Sequence, residues 1–422
     1  MFWRSKDILQ RPEWSLVRAL YKSMGYSDTD LERPLIGIAN SGNRVVPGHY
    51  NLSLVSDYVQ QGIRQAGGTP IEFGVIAGCD GIAQGHDGMH YILPTRDLIA
   101  NDVETMIEAH RLDGVVLLGS CDKIVPGMLM AAARLDIPAI LVAGGPMEGG
   151  CEFDGRAADM TSVTEGLGML KTGKIGEEKY IQLENQAGPT CGSCSFLGTA
   201  NTMCCLAEAL GLSLPGSATI PATQADRFRA AQESGRQILE LIRQGTNARK
   251  IINRKGIENA IRVNAAIGGS TNAVLHMLAI AYEADVPLTV DEFEELSRTT
   301  PHIAKMNPAA APNVPDFHYA GGVPAVMKEI LPILHGDALT VSGQTAGENV
   351  ARAEARNRGI IKTMAEPWSR GGGLAVLRGN LAPDSAITKP AAIKPEMHKF
   401  TGKAHCFDTE ESANEAILQG KV

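Results

Sequence analysis

The chain has 422 residues, of which 44% are hydrophobic and 20% are charged, proportions typical of a globular protein. A net charge of −8 at pH 7 argues against non-specific nucleic-acid binding, and no apolar run is long enough to cross a membrane. The first residues lack the hydrophobic segment of a secretory signal, so the eight cysteines indicate a reducing compartment and metal or catalytic use. We expect a cytoplasmic protein that acts on a small molecule.

The first part of the sequence alternates short apolar runs with amphipathic ones, which predicts strands and helices in βαβ order. This order predicts an α/β fold with a mostly parallel sheet flanked by helices on both faces. The predicted strands are Leu35–Ala39, Ile71–Ala77, Val115–Leu118 and Ala139–Ala143, and the predicted helices are Leu52–Gln65, Arg96–His110 and Gly127–Leu135.

Helical patterns dominate the middle of the chain. Residues Glu152–Gln186 are polar and rich in glycine, and we interpret them as an excursion or lid. The segment from Ser195 to about Leu334 is mostly helical, and Gly268–Asn272 interrupts the long helical pattern of Ile257–Glu283.

The pattern changes near residue 366, where short strand-like pieces precede a predicted helix over Glu410–Leu418. We therefore expect an α/β domain over residues 1–365. Residues 366–422 are expected to be the start of a smaller, β-rich and barrel-like C-terminal domain that is cut short.

A thiol, a carboxylate and an amine stand in consecutive positions at Cys121, Asp122 and Lys123. They follow the predicted strand Val115–Leu118 and precede a predicted helix, the place where α/β folds keep their sites. A hard cation prefers the oxygen of Asp122, and a soft metal prefers the sulfur of Cys121. One loop therefore has ligands for two different metal centres.

Cys191 and Cys194 form a Cys-x-x-Cys motif ahead of a helical stretch, Phe196–Leu210. This spacing is typical of a redox pair, a zinc site or an iron–sulfur ligand set. A thioredoxin-like βαβ context and a second pair of close zinc ligands are both missing from the sequence. Iron–sulfur ligation and a reduced structural pair remain open on spacing alone. Among the other cysteines, we interpret Cys204 and Cys205 as core, Cys151 as a loop residue and Cys406 as a strand residue.

Glycine-containing loops hold further candidates. Asp80 follows the predicted strand Ile71–Ala77, where it either binds a metal or caps a turn, the commoner role for a lone Asp before Gly. His49 and His86 are interpreted as surface histidines. Gly268–Asn272 either cradles an anion through backbone N–H groups or breaks a helix, with Ser270 as a new N-cap.

Taken in this order, several segments resemble the dihydroxy-acid and phosphogluconate dehydratase family. The resemblance runs from about Arg18 to Val422 and implies an enzyme that eliminates water from a 2,3-dihydroxy acid with an iron–sulfur cluster and Mg²⁺. The matching segments are Pro47–His49, Cys79–Ala83, Cys121–Met128, Gly144–Met147, Pro189–Cys194, Thr199–Met203, Gly268–Asn272 and Gly379–Ala382.

The resemblance implies roles for individual residues. Cys121 and Cys194 match the cluster ligands, and Asp80 and Asp122 match the Mg²⁺ ligands. Lys123 matches a lysine that family members carry as a carbamate, which turns a cation into a metal-binding oxyanion. Mg²⁺ would hold the substrate carboxylate and 2-hydroxyl, and an iron with an open position would take the 3-hydroxyl. Substrate contacts are expected from Gly269, Ser270 and Thr271.

Two departures from the family pattern concern the metal sites. Many relatives have a third cluster cysteine where this chain has Gly48, and the resulting Pro-Gly-His subgroup is linked to a more labile [4Fe–4S] cluster. The resemblance thus implies a cluster of either the [2Fe–2S] or the [4Fe–4S] type, with Cys191 as a candidate third ligand. The family's further Mg²⁺ ligand, a Glu, and its base, a Ser, lie in segments that do not occur in these 422 residues. We expect a C-terminally truncated member that, expressed alone, is poorly soluble and has trace activity.

Two substrate classes compete within the family. The Pro-Gly-His loop and residues 222–226 favour a branched-chain dihydroxy-acid dehydratase, acting on 2,3-dihydroxyisovalerate and 2,3-dihydroxy-3-methylvalerate in valine and isoleucine synthesis. Gln84 and the residues before Cys121 tend toward sugar-acid, gluconate-type dehydratases. A catalytically incomplete fragment that binds only a cluster and a partner subunit is the remaining alternative. A homodimer or higher homo-oligomer is expected.

Overall fold

The computed structural model describes residues 3–422, so the first two residues of the predicted N-terminal domain lie outside it. At its centre is a parallel four-stranded sheet with the strand order β2-β1-β3-β4. The parallel sheet of the sequence prediction is therefore confirmed. The strands are β1 (Leu35–Asn40), β2 (Thr69–Gly74), β3 (Gly114–Leu118) and β4 (Ala139–Val142).

Burial explains why these runs form strands. Every residue of β1, β3 and β4 is buried, the pattern of a sheet covered on both faces. The edge strand β2 alternates between buried and more exposed residues, and it ends three residues earlier than predicted. The register pairs Ile36 with Gly114 and Val115 with Ala139, so the carboxyl ends of the four strands lie at one edge of the sheet.

Helices α4 (Leu52–Gln65) and α11 (Ala225–Gln244) pack against each other and against the sheet on one face. They cross closely because glycines face the partner backbone. A Cβ on Gly235 would lie 2.2 Å from the Val59 carbonyl oxygen, and one on Gly62 would lie 2.0 Å from that of Gln232. Helices α6 (Pro94–Ala109) and α7 (Ile124–Leu135) pack against each other. The right-handed rule for crossovers between parallel strands places both on the other face of the sheet.

The region expected to be a polar excursion, Glu152–Gln186, is a structured unit. It consists of a two-stranded hairpin and two helices around its own small core, which includes Phe153 and Leu183. Its first helix begins at a capping box in which the buried Asp159 accepts hydrogen bonds from two backbone N–H groups. The elements are β5 (Glu152–Phe153), β6 (Arg156–Ala157), α8 (Met160–Lys171) and α9 (Glu177–Gln186).

The mostly helical middle of the chain is confirmed, including the predicted break. Helix α12 (Arg254–Ile267) ends at Gly268, which has a φ of 59°, and α13 (Asn272–Glu283) begins four residues later. Helix α10 (Thr199–Leu210) is buried along its whole length, so Cys204 and Cys205 are core residues as predicted. The other helices of the described residues are α1 (Lys6–Leu9), α2 (Ser15–Ser23), α3 (Asp28–Leu31), α5 (Asp80–Ala83), α14 (Val290–Arg298), α15 (Val314–Tyr319), α16 (Gly322–Glu329), α17 (Ala346–Asn349) and α18 (Glu410–Leu418).

Beyond residue 365 the chain has little sheet. Strands β7 (Ala375–Leu377) and β8 (Ala386–Thr388) form an antiparallel pair, and no closed barrel is present within residues 366–422. Helix α18 has the predicted bounds. The strand assignment of Cys406 is wrong, because this residue is exposed in irregular structure. In the described part of the chain, no helix combines the length and the apolar character needed to span a membrane.

Candidate active site

Four chain segments meet at the carboxyl edge of the parallel sheet. Three are the loops after β1, β2 and β3. The fourth contains Cys194 and runs parallel to the loop after β4, where the Ser193 N–H donates to the Gly145 carbonyl at 3.0 Å. It is also tied to the loop after β1, since the Gly192 N–H donates to the Pro47 carbonyl at 3.1 Å. Residues far apart in sequence are thus held side by side.

Lys123 lies between the two carboxylates that the sequence singled out. Its Nζ is 2.5 Å from Asp80 Oδ2 and 3.8 Å from Asp122 Oδ2, and its side chain is largely buried. Burial and then the nearby Asp80 raise the pKa of Asp122, and Lys123 opposes the change, so that the pKa of Asp122 is about 6. Two carboxylates this close repel each other, and a cation between them stabilises both.

These donors fit a divalent cation. Asp80 Oδ1 is buried and has no hydrogen-bond partner, so one oxygen remains free to bind an ion. Hard oxygen donors are what Mg²⁺ prefers. Within residues 3–422, no three His, Cys, Asp or Glu side chains converge on a single ion. The family resemblance implies that the third protein oxygen is that of a carbamate on Lys123, whose free ammonium otherwise fills the place of the cation.

Thiols cluster beside these carboxylates. Burial raises the pKa of Cys121 well above its usual range, and the neighbouring Cys194, Asp122 and Cys79 raise it further. Burial likewise raises the pKa of Cys194 to about 12, with Cys79 as the largest charged contributor. Without a metal these thiols stay protonated. An iron that bound such thiols would displace their protons. Thiols that hold a cluster stand further apart than the ligands of a single ion, because the cluster lies between them.

His49 is fully buried, so its interpretation as a surface histidine is wrong. Its Nδ1 is 2.9 Å from the Ser41 carbonyl, and its Nε2 accepts from the N–H groups of Ser120 at 3.2 Å and Cys121 at 3.3 Å. These partners define a neutral ring with the proton on Nδ1. Burial lowers the pKa of His49 to about 4, which keeps it neutral. His49 therefore fixes the backbone that carries the Cys121 thiol.

Gly48 and Cys191 are the two positions considered for a third cluster ligand. A Cβ on Gly48 would lie 2.7 Å from Cys121 Sγ and 3.1 Å from the Ser193 nitrogen, so this position points at the Cys121 thiol. Cys191 is half-buried, and burial alone raises its pKa, with no contribution from another thiol or carboxylate. A role for Cys191 as third ligand stays a prediction.

The predicted substrate loop reaches the same site. Ser270 Oγ is 2.8 Å from Thr199 Oγ1, the Ser270 N–H donates to Thr202 Oγ1 at 3.0 Å, and Asn272 Nδ2 donates to Thr199 Oγ1 at 2.9 Å. Thr199 and the Ala200 N–H hydrogen-bond Asp122 and thereby oppose the rise of its pKa. Thr199 therefore connects this loop to the carboxylate of Asp122. The N-cap of α13 is Thr271 and not the predicted Ser270.

Two polar groups near Lys123 were missed by the sequence reasoning. His276 on α13 is fully buried, and neither ring nitrogen has a hydrogen-bond partner. Burial, then the charges of Lys123 and Arg96, lower its pKa to about 3. Arg96 Nη1 is also buried without a partner. A histidine in the otherwise apolar run Val274–Ile280 is the signal that could have drawn attention to this place.

Two family models match the chain: the dihydroxy-acid/6-phosphogluconate dehydratase N-terminal model over residues 33–349 and the C-terminal model over residues 359–422. The chain belongs to this family of hydro-lyases. It is 49% identical over 421 residues to a dihydroxy-acid dehydratase of Caldanaerobacter subterraneus subsp. tengcongensis, covering 99% of this chain and 76% of the relative. It is also 49% identical over 422 residues to that of Ignicoccus hospitalis and 48% identical over 423 residues to that of Methanosarcina barkeri, with the same two coverages.

Proposed function

We propose that the chain is a dihydroxy-acid dehydratase that converts 2,3-dihydroxyisovalerate and 2,3-dihydroxy-3-methylvalerate to 2-oxo acids in valine and isoleucine synthesis. The observation that carries the proposal is the convergence of Asp80, Asp122 and Lys123 beside the thiols of Cys121 and Cys194. These residues come from three separate segments. The names of the relatives at 48–49% identity favour this substrate class over sugar acids.

In this proposal Asp80, Asp122 and carbamylated Lys123 hold Mg²⁺, and Cys121 and Cys194 hold an iron–sulfur cluster. When bound, Mg²⁺ supplies a Lewis acid for the substrate carboxylate and 2-hydroxyl, and the cluster supplies one for the leaving 3-hydroxyl. His49 holds the Cys121 loop, so the thiol and the carboxylate of Asp122 keep a fixed separation. Thr199 orients both Asp122 and Ser270.

In the substrate loop, Gly269 lets the backbone approach helix α12 closely. A Cβ on Gly269 would lie 2.0 Å from Asn264 Oδ1, so a side chain at this position would displace the Asn264 side chain. The loop therefore packs tightly on α12. The side chains of Ser270 and Thr271, both half-buried, remain at the site. In the proposal their hydroxyl groups donate hydrogen bonds to the substrate carboxylate, in addition to the bond that it would form with Mg²⁺.

The test is 2-oxo acid formation by the anaerobically reconstituted chain with Mg²⁺, using 2,3-dihydroxyisovalerate and gluconate as competing substrates. Substrate binding is followed in parallel by the change that it causes in the visible absorption of the cluster, which does not need turnover. We expect 2,3-dihydroxyisovalerate to bind and react in preference to gluconate, and Asp80→Asn to abolish both signals while the cluster absorption remains. Preference for gluconate, or no response to either acid, would contradict the proposal.

A further inference from the structure

Two Cys-Asp dipeptides lie at the same edge of the sheet. Cys79-Asp80 follows β2, and Cys121-Asp122 follows β3. The proposed function assigns both carboxylates and the Cys121 thiol to metal centres, but it leaves the thiol of Cys79 without a role. Cys79 is a half-buried free cysteine at the N-cap of α5, in extended backbone conformation.

The two dipeptides face each other. The ammonium of Lys123 lies between their carboxylates, which fixes the Asp80 loop beside the Asp122 loop. Cys79 and Cys121 each directly precede one of these carboxylates, so the same contacts hold the two thiol-bearing loops side by side. In agreement with this arrangement, the nearby Cys79 further raises the pKa of both Cys121 and Cys194. Each dipeptide therefore presents a hard oxygen to one centre and a soft sulfur to the other.

The other two candidate positions do not offer a thiol in the same way. Gly48 points at Cys121 but has no side chain. Cys191 precedes Gly192, whose φ of 135° and close packing on the Met147 backbone turn the chain between the two cysteines of the motif. Burial raises the pKa of Cys191, and no other thiol contributes to the rise.

We propose that Cys79 is the third thiolate ligand of the iron–sulfur cluster, beside Cys121 and Cys194, in place of the cysteine that many relatives carry at the position of Gly48. The inference rests on the proposed function, which supplies the cluster. On binding, each of the three thiols releases its proton, and each thiolate forms one bond to iron. In a [4Fe–4S] cluster this leaves one iron without a protein ligand and open to a substrate hydroxyl.

The test measures iron, acid-labile sulfide and visible absorption per chain after anaerobic reconstitution with ferrous iron and sulfide. Cys79→Ser and Cys79→Ala are expected to lose the cluster absorption, as Cys121→Ser does. Cys151→Ser, which alters a half-buried thiol outside the site, is the matched control and is expected to keep the wild-type cluster content. Far-UV circular dichroism verifies that each variant is folded.

A rescue variant separates ligation from a structural role. Gly48→Cys in the Cys79→Ser background places a thiol beside Cys121, whose Sγ must shift because the added Cβ would lie 2.7 Å from it, and this variant is expected to restore the absorption. Wild-type cluster content in both Cys79 variants would overturn the inference, while bleaching of Cys121→Ser would leave the proposed function standing. Loss in Cys191→Ser with retention in Cys79→Ser would assign the third ligand to Cys191 instead. A wild-type chain that takes up no cluster would refute the proposed function itself.

Discussion

Replacing His49 tests whether the imidazole fixes the Cys121 loop as a neutral ring. The ring accepts from two backbone N–H groups and donates to the Ser41 carbonyl, all in the interior. His49→Leu leaves the N–H groups of Ser120 and Cys121 without partners, while the Ser41 carbonyl still accepts from the Asn43 side chain. Each unsatisfied buried group costs about 1–3 kcal/mol, so we expect a loss of about 2–6 kcal/mol in the free energy of unfolding. His49→Gln keeps one donor and one acceptor and should lose about 1–2 kcal/mol.

The pH dependence gives a sharper signature. Burial lowers the pKa of His49 from its ordinary 6.5 to about 4, so between these values the unfolded chain binds a proton that the folded chain does not. Stability from this residue is therefore complete above pH 6.5 and is lost as the pH falls toward 4. A pKa difference of one corresponds to about 1.4 kcal/mol, which gives a loss of about 3 kcal/mol across this window.

The assay is urea unfolding of the wild type and His49→Gln, without cluster, at several pH values between 4 and 8. Other buried histidines, such as His276, His302 and His318, titrate in both proteins and cancel in the difference. The stability advantage of the wild type should narrow by about 3 kcal/mol from pH 7 to pH 4 and reverse in sign. A difference that stays constant with pH would refute the neutral, buried imidazole.

Three further predictions follow from the same contacts. Lys123→Arg should abolish Mg²⁺ binding and the carbamate ¹³C NMR signal obtained with labelled bicarbonate while leaving cluster absorption intact, and normal Mg²⁺ binding would limit Lys123 to a substrate contact. Gly235→Ala should lower the free energy of unfolding by about 1–3 kcal/mol because its Cβ meets a backbone oxygen of α4. Gly168→Ala, with open space around its Cβ in α8, is the control and should be neutral or stabilising in the same urea titration. His276→Leu removes two buried, unpartnered nitrogens and should stabilise the unmodified chain by about 1–3 kcal/mol, and a loss of stability would show that the ring has a partner.

The sheet and the main helices were predictable because hydrophobic periodicity is a local signal. Leu52–Gln65 has its predicted bounds, and the break at Gly268 follows from a single glycine in the left-handed region. The structured unit of Glu152–Gln186 was missed because its apolar core is small. Its first helix depends on the side chain of Asp159, which the sequence pattern presents as one more polar residue.

The sequence predicted which reactive residues lie at the candidate site, but it did not predict the residues that surround them. Cys121, Asp122 and Lys123 are three consecutive residues with reactive side chains, so the residue types alone mark them as candidates. His49 carries one as well, but its role depends on Ser41 and Ser120, which pattern alone does not connect to it. His49 was interpreted as a surface residue because its burial depends on the fold and cannot be read from the local sequence.

The placement of charge at the site follows from how the segments meet. Asp80 and Asp122 come from different loops, and each would be tolerable alone at the edge of the sheet. Burial and then the neighbouring Asp80 raise the pKa of Asp122 to about 6, and Lys123 offsets only part of the rise. On the far side, His276 and Arg96 have buried donors without acceptors. A carbamate on Lys123 answers both conditions, because it frees the carboxylates to bind a cation and gives those donors an anionic acceptor. These unpartnered groups near Lys123 are therefore a physical argument for the proposed modification, beside the one that the family resemblance supplies.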